Sequence, residues 1–474
     1  MRRVTRLALG ALLAGLALSV AGCGGSDSSA TGAEGAASIA PASATVYATI
    51  NTDLDSGQVD QLEELLAKFP DRERLFAEIQ KSLAEDDLSW EQDIKPALGD
   101  TLDVVLLDFD SDDFVGILKP GDEAKFKSLL ATSDDPTVSR EIEGWTVFAD
   151  SEAVLDRFES ARSSGSLEDD EQFEDAMGDL PEEALVKLYV DGEAATKAAE
   201  SADAGGSGKN RLKAFAAALG AESSGISFEG ALTSELEDAF ANIEPYESKL
   251  VEAAPEDALA FISGNGFGKV DESLDEAGNS LDELREMLGV DVERILHVLD
   301  GEFALWVGPG TPIPEVTFLA ETKNTAEAMA ALDQLAGLVP PEAGAERRTT
   351  TIDGVEAKQL VLDGFPITYA TFDGRVIVTT RPGAISDVRE GGDSLADDAE
   401  FKQATEDAGM GDSTFGFVYL DLEQLGALIE GFSGLSGGDI PPEVARNLEP
   451  LGAFVFSAGG KPEDLKLSAF LAIE

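Results

Sequence analysis

The chain has one cysteine, one histidine and only 34 basic residues among 474, and each shortage excludes a class of function. The lone cysteine, Cys23, leaves no intrachain disulfide and no Cys-rich metal site, so the folded part must be held by packing alone. The lone histidine, His297, is the residue any Ser-His-Asp triad would have to use, and no GxSxG element accompanies it. Because 93 residues are acidic, the formal net charge is −59. Nucleic acid, whose binding needs Lys and Arg to neutralise phosphates, is excluded as a partner, and so is a broad basic face resting on anionic headgroups. Long apolar runs are missing too. The one candidate, Leu7 to Val20, falls short of the about 20 residues that a membrane-crossing helix takes.

What is present begins with Arg2, Arg3 and Arg6, then that apolar run, then Val20-Ala21-Gly22-Cys23. A positive end, an apolar core of export length and small residues before a cleavage point make a secretory leader. The closing four residues resemble the lipobox of bacterial lipoproteins. That resemblance implies a signal peptide over residues 1–22, a diacylglyceryl group on the sulfur of Cys23, and Cys23 as the new N-terminus. Residues 23–40 are small and polar without apolar periodicity, so a flexible tether is expected there. Lipid burial contributes about 0.8 kcal/mol per CH₂, which makes a two-chain anchor durable. The expected location is the extracytoplasmic face of the cell membrane, with the membrane as a partner through the anchor at Cys23.

Hydrophobic residues make up 43% of the chain, enough for large cores. Compared with itself, the sequence repeats. "SLEDDEQFEDA" from Ser166 matches "SLADDAEFKQA" from Ser394, and "LYVDGE" from Leu188 parallels "VYLDLE" from Val418. Leu212, Ala214, Phe215, Gly220 and Leu232 fall on Leu451, Ala453, Phe454, Gly459 and Leu471 at one constant offset. "PASATVYATIN" from Pro41 parallels "PEDALAFISGN" from Pro255. Two copies follow, over residues 41–245 and 251–474.

Within each copy, helical periodicity precedes strands. Val59, Leu62, Leu65, Leu66 and Phe69 share one helix face, as do Leu75, Phe76, Ile79 and Leu83 beyond Pro70; Leu281, Leu284, Met287, Leu288, Ile295, Leu296 and Leu299 are the second-copy counterparts. Strand-like runs come next: "TLDVVLLDF", "FVGILK", "EFALWVG" and "EVTFLAE". The second copy adds "AKQLVLD", "PITYATFD" and "RVIVTT", where the first keeps only "GWTVFAD" and is shortened. Short turns between strands and grouped helices predict an α+β fold: two tandem related copies, each an antiparallel sheet covered by amphipathic helices.

The opening "PASATVYATINTDLDSGQVDQLEELLAKFPD", the "ALGD" from Ala97 and the SLxDDxxF element resemble the domain of unknown function family 3352 of actinobacterial envelope proteins. The resemblance covers nearly all of residues 41–474 and implies location and architecture. It carries no catalytic residue.

Candidate chemistry is sparse. His297 lies on a helical stretch in "VERILHVLDGE", where a helix-end or partly buried histidine is the plainer reading than an acid-base group. Asp108, Asp110 and Asp112 hold the first, third and fifth positions of a calcium loop, but Asp113 stands where the loop needs glycine and Lys119 where it needs glutamate. An acidic turn is expected instead. "NTDLDSG" from Asn51 reads as a turn into a helix. "SGNGFGKV" from Ser263 lacks the closing step of a dinucleotide loop. The sequence therefore predicts no catalytic, metal or cofactor site, and Cys23 as the one modified residue. A non-catalytic binding or interaction module is the leading expectation, its partner a protein, a cation or a hydrophobic ligand. The rivals are a carrier enclosing a lipid or small apolar solute, and a secreted carboxylate-dependent hydrolase.

Overall fold

The computed structural model describes residues 35–111, 113–132, 136–201, 211–235, 244–266, 301–310, 314–339, 344–362, 364–426 and 441–474. The first copy supplies β1 (Val46–Asn51), β2 (Thr101–Leu106), β3 (Phe114–Leu118), β4 (Val138–Ile142), β5 (Trp145–Ala149), β6 (Val186–Asp191), β7 (Arg211–Glu222) and β8 (Gly225–Glu235). The second supplies β9 (Ala260–Asn265), β10 (Glu302–Gly308), β11 (Glu315–Glu321), β12 (Glu346–Ile352), β13 (Val355–Leu362), β14 (Phe365–Phe372), β15 (Arg375–Thr379), β16 (Gly416–Asp421), β17 (Leu451–Lys461) and β18 (Asp464–Ile473). The pattern that makes these strands is alternation: β10 buries Glu302, Ala304, Trp306 and Gly308 and leaves the residues between half-buried. Hairpins close where the backbone turns left-handed at two successive residues, Glu143-Gly144, Asp353-Gly354 and Asp373-Gly374. Such two-residue turns match the twist of antiparallel strands.

All pairings are antiparallel, and together they make one 18-stranded sheet. Its order is β4-β5-β3-β2-β1-β6-β7-β8-β18-β17-β16-β9-β10-β11-β15-β14-β13-β12. The second half repeats the first in reverse, with β12 and β13 as the addition that makes the first copy the shorter. At the centre β8 pairs with its own counterpart: Ala231 opposes Lys466, while Ser227 opposes Phe470. An exchange of equivalent partners is the signature of two-fold pairing, here made within one chain. Both β7–β8 and β17–β18 break register at the same place, at Leu212/Ala214 and Leu451/Phe454.

Each copy has its core on one side of the sheet. In the first, Tyr47, Val105, Ile117, Val147 and Tyr189 pack under the Glu152–Arg162 and Glu171–Gly178 helices through Leu155, Phe158 and Phe173. The second copy does the same with Phe261, Ala304, Leu319, Ile377 and Tyr419 under the Ala384–Glu390 and Ala399–Asp407 helices. On the other side, the Gly57–Leu66 helix packs Val59 and Leu65 against Leu185, Ala221 and Ile473, so a first-copy helix rests partly on the last strand of the second copy. The Arg72–Glu85 helix follows Pro70, as the periodicity predicts. Elsewhere that second face presents Leu188, Phe228, Phe454, Val418 and Leu467 half-buried, with Ile262 40% and Leu219 39% exposed.

The fold begins before Pro41. Ala36, Ile39 and Ala40 are buried in the first core, and Ala36–Ser38 forms a tight helical turn. Residues 35–40, expected in the tether, therefore belong to the fold. The small alanine side chains of this turn are buried, and its Ala36 N–H is held by Asp103 on β2. Residues 246–250 likewise join the second copy, where Tyr246 bridges Thr414. The helical segment Leu281 to Leu299 lies outside the described residues. No helix among the described residues is long and apolar enough to cross a membrane.

Candidate binding site

The repeated motifs resolve into struts. Ser166 and Ser394 bridge Pro41 and Pro255, so each SLxDDxxF element is stitched to the start of its own copy. Leu167 N–H donates to Ala40 O at 2.9 Å, and Leu395 N–H to Ala254 O at 3.0 Å, burying both leucines. Asp170 and Asp398 cap the following helices by accepting from Phe173 N and Phe401 N. Phe173 then meets Tyr47 and Tyr189 edge-on, at 5.5 and 5.0 Å between ring centres, and Phe401 meets Tyr419 at 5.2 Å. The parallel "YVD" and "YLD" segments end their strands in caps as well, with Asp191 accepting from Ala194 N and Asp421 from Gln424 N.

Two buried carboxylates, two residues out of step between the copies, hold the same turn. Asp103, on β2, accepts from the Tyr47 hydroxyl at 2.6 Å, Thr49 at 2.7 Å and Thr101 at 3.3 Å, and it also accepts the Ala36 backbone N–H. Burial pushes its carboxyl above the usual range even though these donors favour the charged form, and burial with the neighbouring Asp103 pushes the Tyr47 hydroxyl well up. In the second copy Glu302 takes the N–H groups of Lys249 and Leu250 and the Ser248 hydroxyl. Leu250 corresponds to Ala36, so in both copies a buried carboxylate ties down the turn that precedes the first strand.

Asp108 belongs to an acidic turn. It accepts from Ser111 N at 2.7 Å, and Arg157 pairs with both Asp108 and Asp113. Burial alone would raise the Asp108 carboxyl, but Ser111 and Arg157 outweigh it and hold the group below its usual value. Asp112 lies outside the described residues. The Asn51 segment is a run of turns ending at Ser56, whose hydroxyl caps the Gly57–Leu66 helix. Gly264 is glycine because a Cβ there would lie 2.6 Å from the Phe303 ring. Cys23 and His297 both lie outside the described residues.

One position shows the copies diverging in chemistry. Gln172 donates to the Tyr189 hydroxyl at 3.0 Å and to Lys213 O at 2.8 Å. At the matching place stands Glu400, whose Oε1 is buried with no hydrogen-bond partner. Burial first, then Asp421, Glu474, Asp398 and Glu423, push its carboxyl up to about 7.

The larger divergence is a pocket. The shared hairpins at Gly144 and Gly374, and the shared bridges at Pro41 and Pro255, set the correspondence residue by residue. In the first copy Ile39 (1% exposed), Phe158 (0%) and Trp145 (8%) fill the space between the opening turn and the Glu152–Arg162 helix. Their counterparts are Ala253, Val388 and Arg375, and a cavity of about 400 Å³ opens there. Trp306 on β10, where the first copy has Val105, forms part of its wall. Lys249, Arg381 and Arg389 also line it, where the first copy carries Gly35, Ser151 and Glu159. A second cavity of about 270 Å³ adjoins across Trp306 and Arg381. None of the candidate residues read from the sequence lines this cavity. Its signal was present as three arginines gained between "GWTVFADSEAVLDRFES" and "GRVIVTTRPGAISDVRE".

The family described as Protein of unknown function (DUF3352) matches residues 6–142 and 127–473, and the chain belongs to that family. No curated protein matches the chain. Among solved structures, TP0453 in crystal form IV is 12% identical, covering 49% of this chain and 83% of that one at a TM-score of 0.27. Crystal form I is 12% identical, covering 47% and 75% at 0.25.

Proposed function

We propose that this member of the DUF3352 family is an exported, lipid-tethered envelope protein whose duplicated sheet binds a ligand and does no chemistry on it. The observation that carries the reading is the difference between the copies. Where the first copy is filled by large apolar side chains, the second has exchanged them for small and basic ones and left a cavity. Asp108, a calcium-loop candidate in the sequence, is neutralised by Arg157, and the buried carboxylates of Asp103 and Glu302 anchor turns. A duplicated fold that is filled at this place in one copy and open at the matching place in the other suits a scaffold that retains a site in one half. The tether keeps that site beside the membrane. The half-buried apolar second face of the sheet favours, as second reading, a carrier for a lipid or small hydrophobic solute.

Tethering is tested by Cys23→Ser with cell fractionation. The substituted protein is expected to leave the membrane fraction for the soluble one or to accumulate with its leader uncut. A Cys23→Ser protein that is processed and still sediments with membranes like the wild type removes the lipid anchor from the account.

A further inference from the structure

We infer that the second-copy pocket takes a phosphate group, presented either as a free anion or on a lipid headgroup. This rests on the binding-module reading and names the ligand class. The chain carries 34 basic residues against 93 acidic ones, yet four of its cations, Lys249, Arg375, Arg381 and Arg389, line one cavity of about 400 Å³. Their states differ. Arg381 is held by Glu315 and Asp387, and Arg389 by Asp353 and Asp373. Lys249 and Arg375 have no ionic partner among the described residues, although carboxylates are everywhere on this surface. Glu252, Glu390 and Asp393 share the rim without pairing to them.

The two unpaired cations come from different walls. Lys249 lines the cavity from the segment before β9, where its backbone N–H is bound by both Glu302 oxygens, at 3.1 and 2.9 Å. Arg375 leaves the two-residue turn at Asp373-Gly374 as the first residue of β15. An arginine and a lysine lining one cavity without ionic partners match an oxyanion with several acceptor oxygens. A phosphate brings up to two charges and at least two free oxygens, whereas a side-chain carboxylate brings one charge and is already abundant on the rim. That the rim carboxylates leave Lys249 and Arg375 unpaired favours the richer acceptor. At physiological salt the charges on the rest of the surface are screened beyond about 8 Å, so the −59 of the whole chain does not forbid a local anion.

The test is isothermal titration of the mature protein in nonionic detergent, in one arm with inorganic phosphate and in the other with phosphatidylglycerol dissolved in micelles of the same detergent. Saturable binding is expected in at least one arm. In that arm Lys249→Ala with Arg375→Ala should weaken it at least tenfold, while each variant keeps the wild-type unfolding midpoint. Refilling the cavity with first-copy residues (Ala253→Ile, Val388→Phe, Arg375→Trp) should abolish it. Response to inorganic phosphate assigns a free anion; response to the phosphatidylglycerol micelles alone assigns a headgroup. No saturable binding in either arm, or binding that the double variant leaves unchanged, overturns the assignment. In that event a small ligand that still accompanies the protein out of its membrane leaves the binding-module reading standing.

Discussion

Asp103→Ala is expected to destabilise the protein by about 3–5 kcal/mol, read as a shift in urea unfolding followed by tryptophan fluorescence. The carboxylate is fully buried and holds the Tyr47 and Thr49 hydroxyls, the Thr101 hydroxyl and the Ala36 N–H. Alanine leaves those donors in a dry site with no acceptor, and the opening turn loses its attachment to β2. Asp103→Asn is the informative partner. Its oxygen can keep the Tyr47 and Thr49 bonds, which both fall on Oδ1, and its amide can donate to Thr101, so it should lose far less than alanine. The pH dependence has a definite sign. Burial raises the folded-state value of Asp103 above the about 3.9 of an unfolded chain, so folding favours its protonated form. Its contribution is greatest below about 3.9 and falls as pH rises through the folded value, and Asp103→Asn removes that slope. An alanine variant within about 1 kcal/mol of wild type would contradict the role given to this carboxylate.

Glu400→Gln should make the protein more stable at pH 8 and leave it unchanged at pH 4. The folded-state carboxyl is pushed up to about 7, whereas an unfolded chain has it near 4.3, so the unfolded state binds fewer protons between these values. Stability from this group is present below about 4.3 and is lost as pH rises through about 7. Gln172 shows what a neutral amide does at the matching place, donating to the tyrosine hydroxyl beside it. Glu400 is partly exposed, so solvent screening brings the effect at pH 8 to about 1 kcal/mol. Thermal unfolding of both proteins across pH 4 to 8 reads it directly. Parallel pH curves for the two would show that Glu400 does not titrate in this range.

Much of the architecture was legible in the residues, and the exceptions have physical causes. Alternation in "EFALWVG" and "FGFVYLD" and the Asp-Gly turns mark strands and hairpins because the buried face has period two. β7 is different: "RLKAFAAALGAE" is rich in helix formers, and it is a strand because β6 and β8 offer backbone partners on both sides and its alanines fit the tightly packed core. β4 and β12, "VSREI" and "ERRTTTI", are edge-region strands with exposed charged residues and little apolar signal. The duplication showed that two copies exist but not that β8 and β18 would join them into one sheet, since strand pairing at a distance leaves no periodic trace. The pocket escaped for another reason. Likeness between the copies is easily seen, while a site made by unlike residues at like positions appears only when the repeat is read for its disagreements: Ile39 against Ala253, Phe158 against Val388, Trp145 against Arg375.

Native mass spectrometry of the protein extracted gently from its own membrane tests the central claim most directly. A phosphate-bearing ligand is predicted to travel with the wild-type chain and to be missing from the Lys249→Ala, Arg375→Ala double variant. A chain that emerges bare in both forms would contradict the account, and an apolar ligand carried equally by both would move the function to the second face of the sheet.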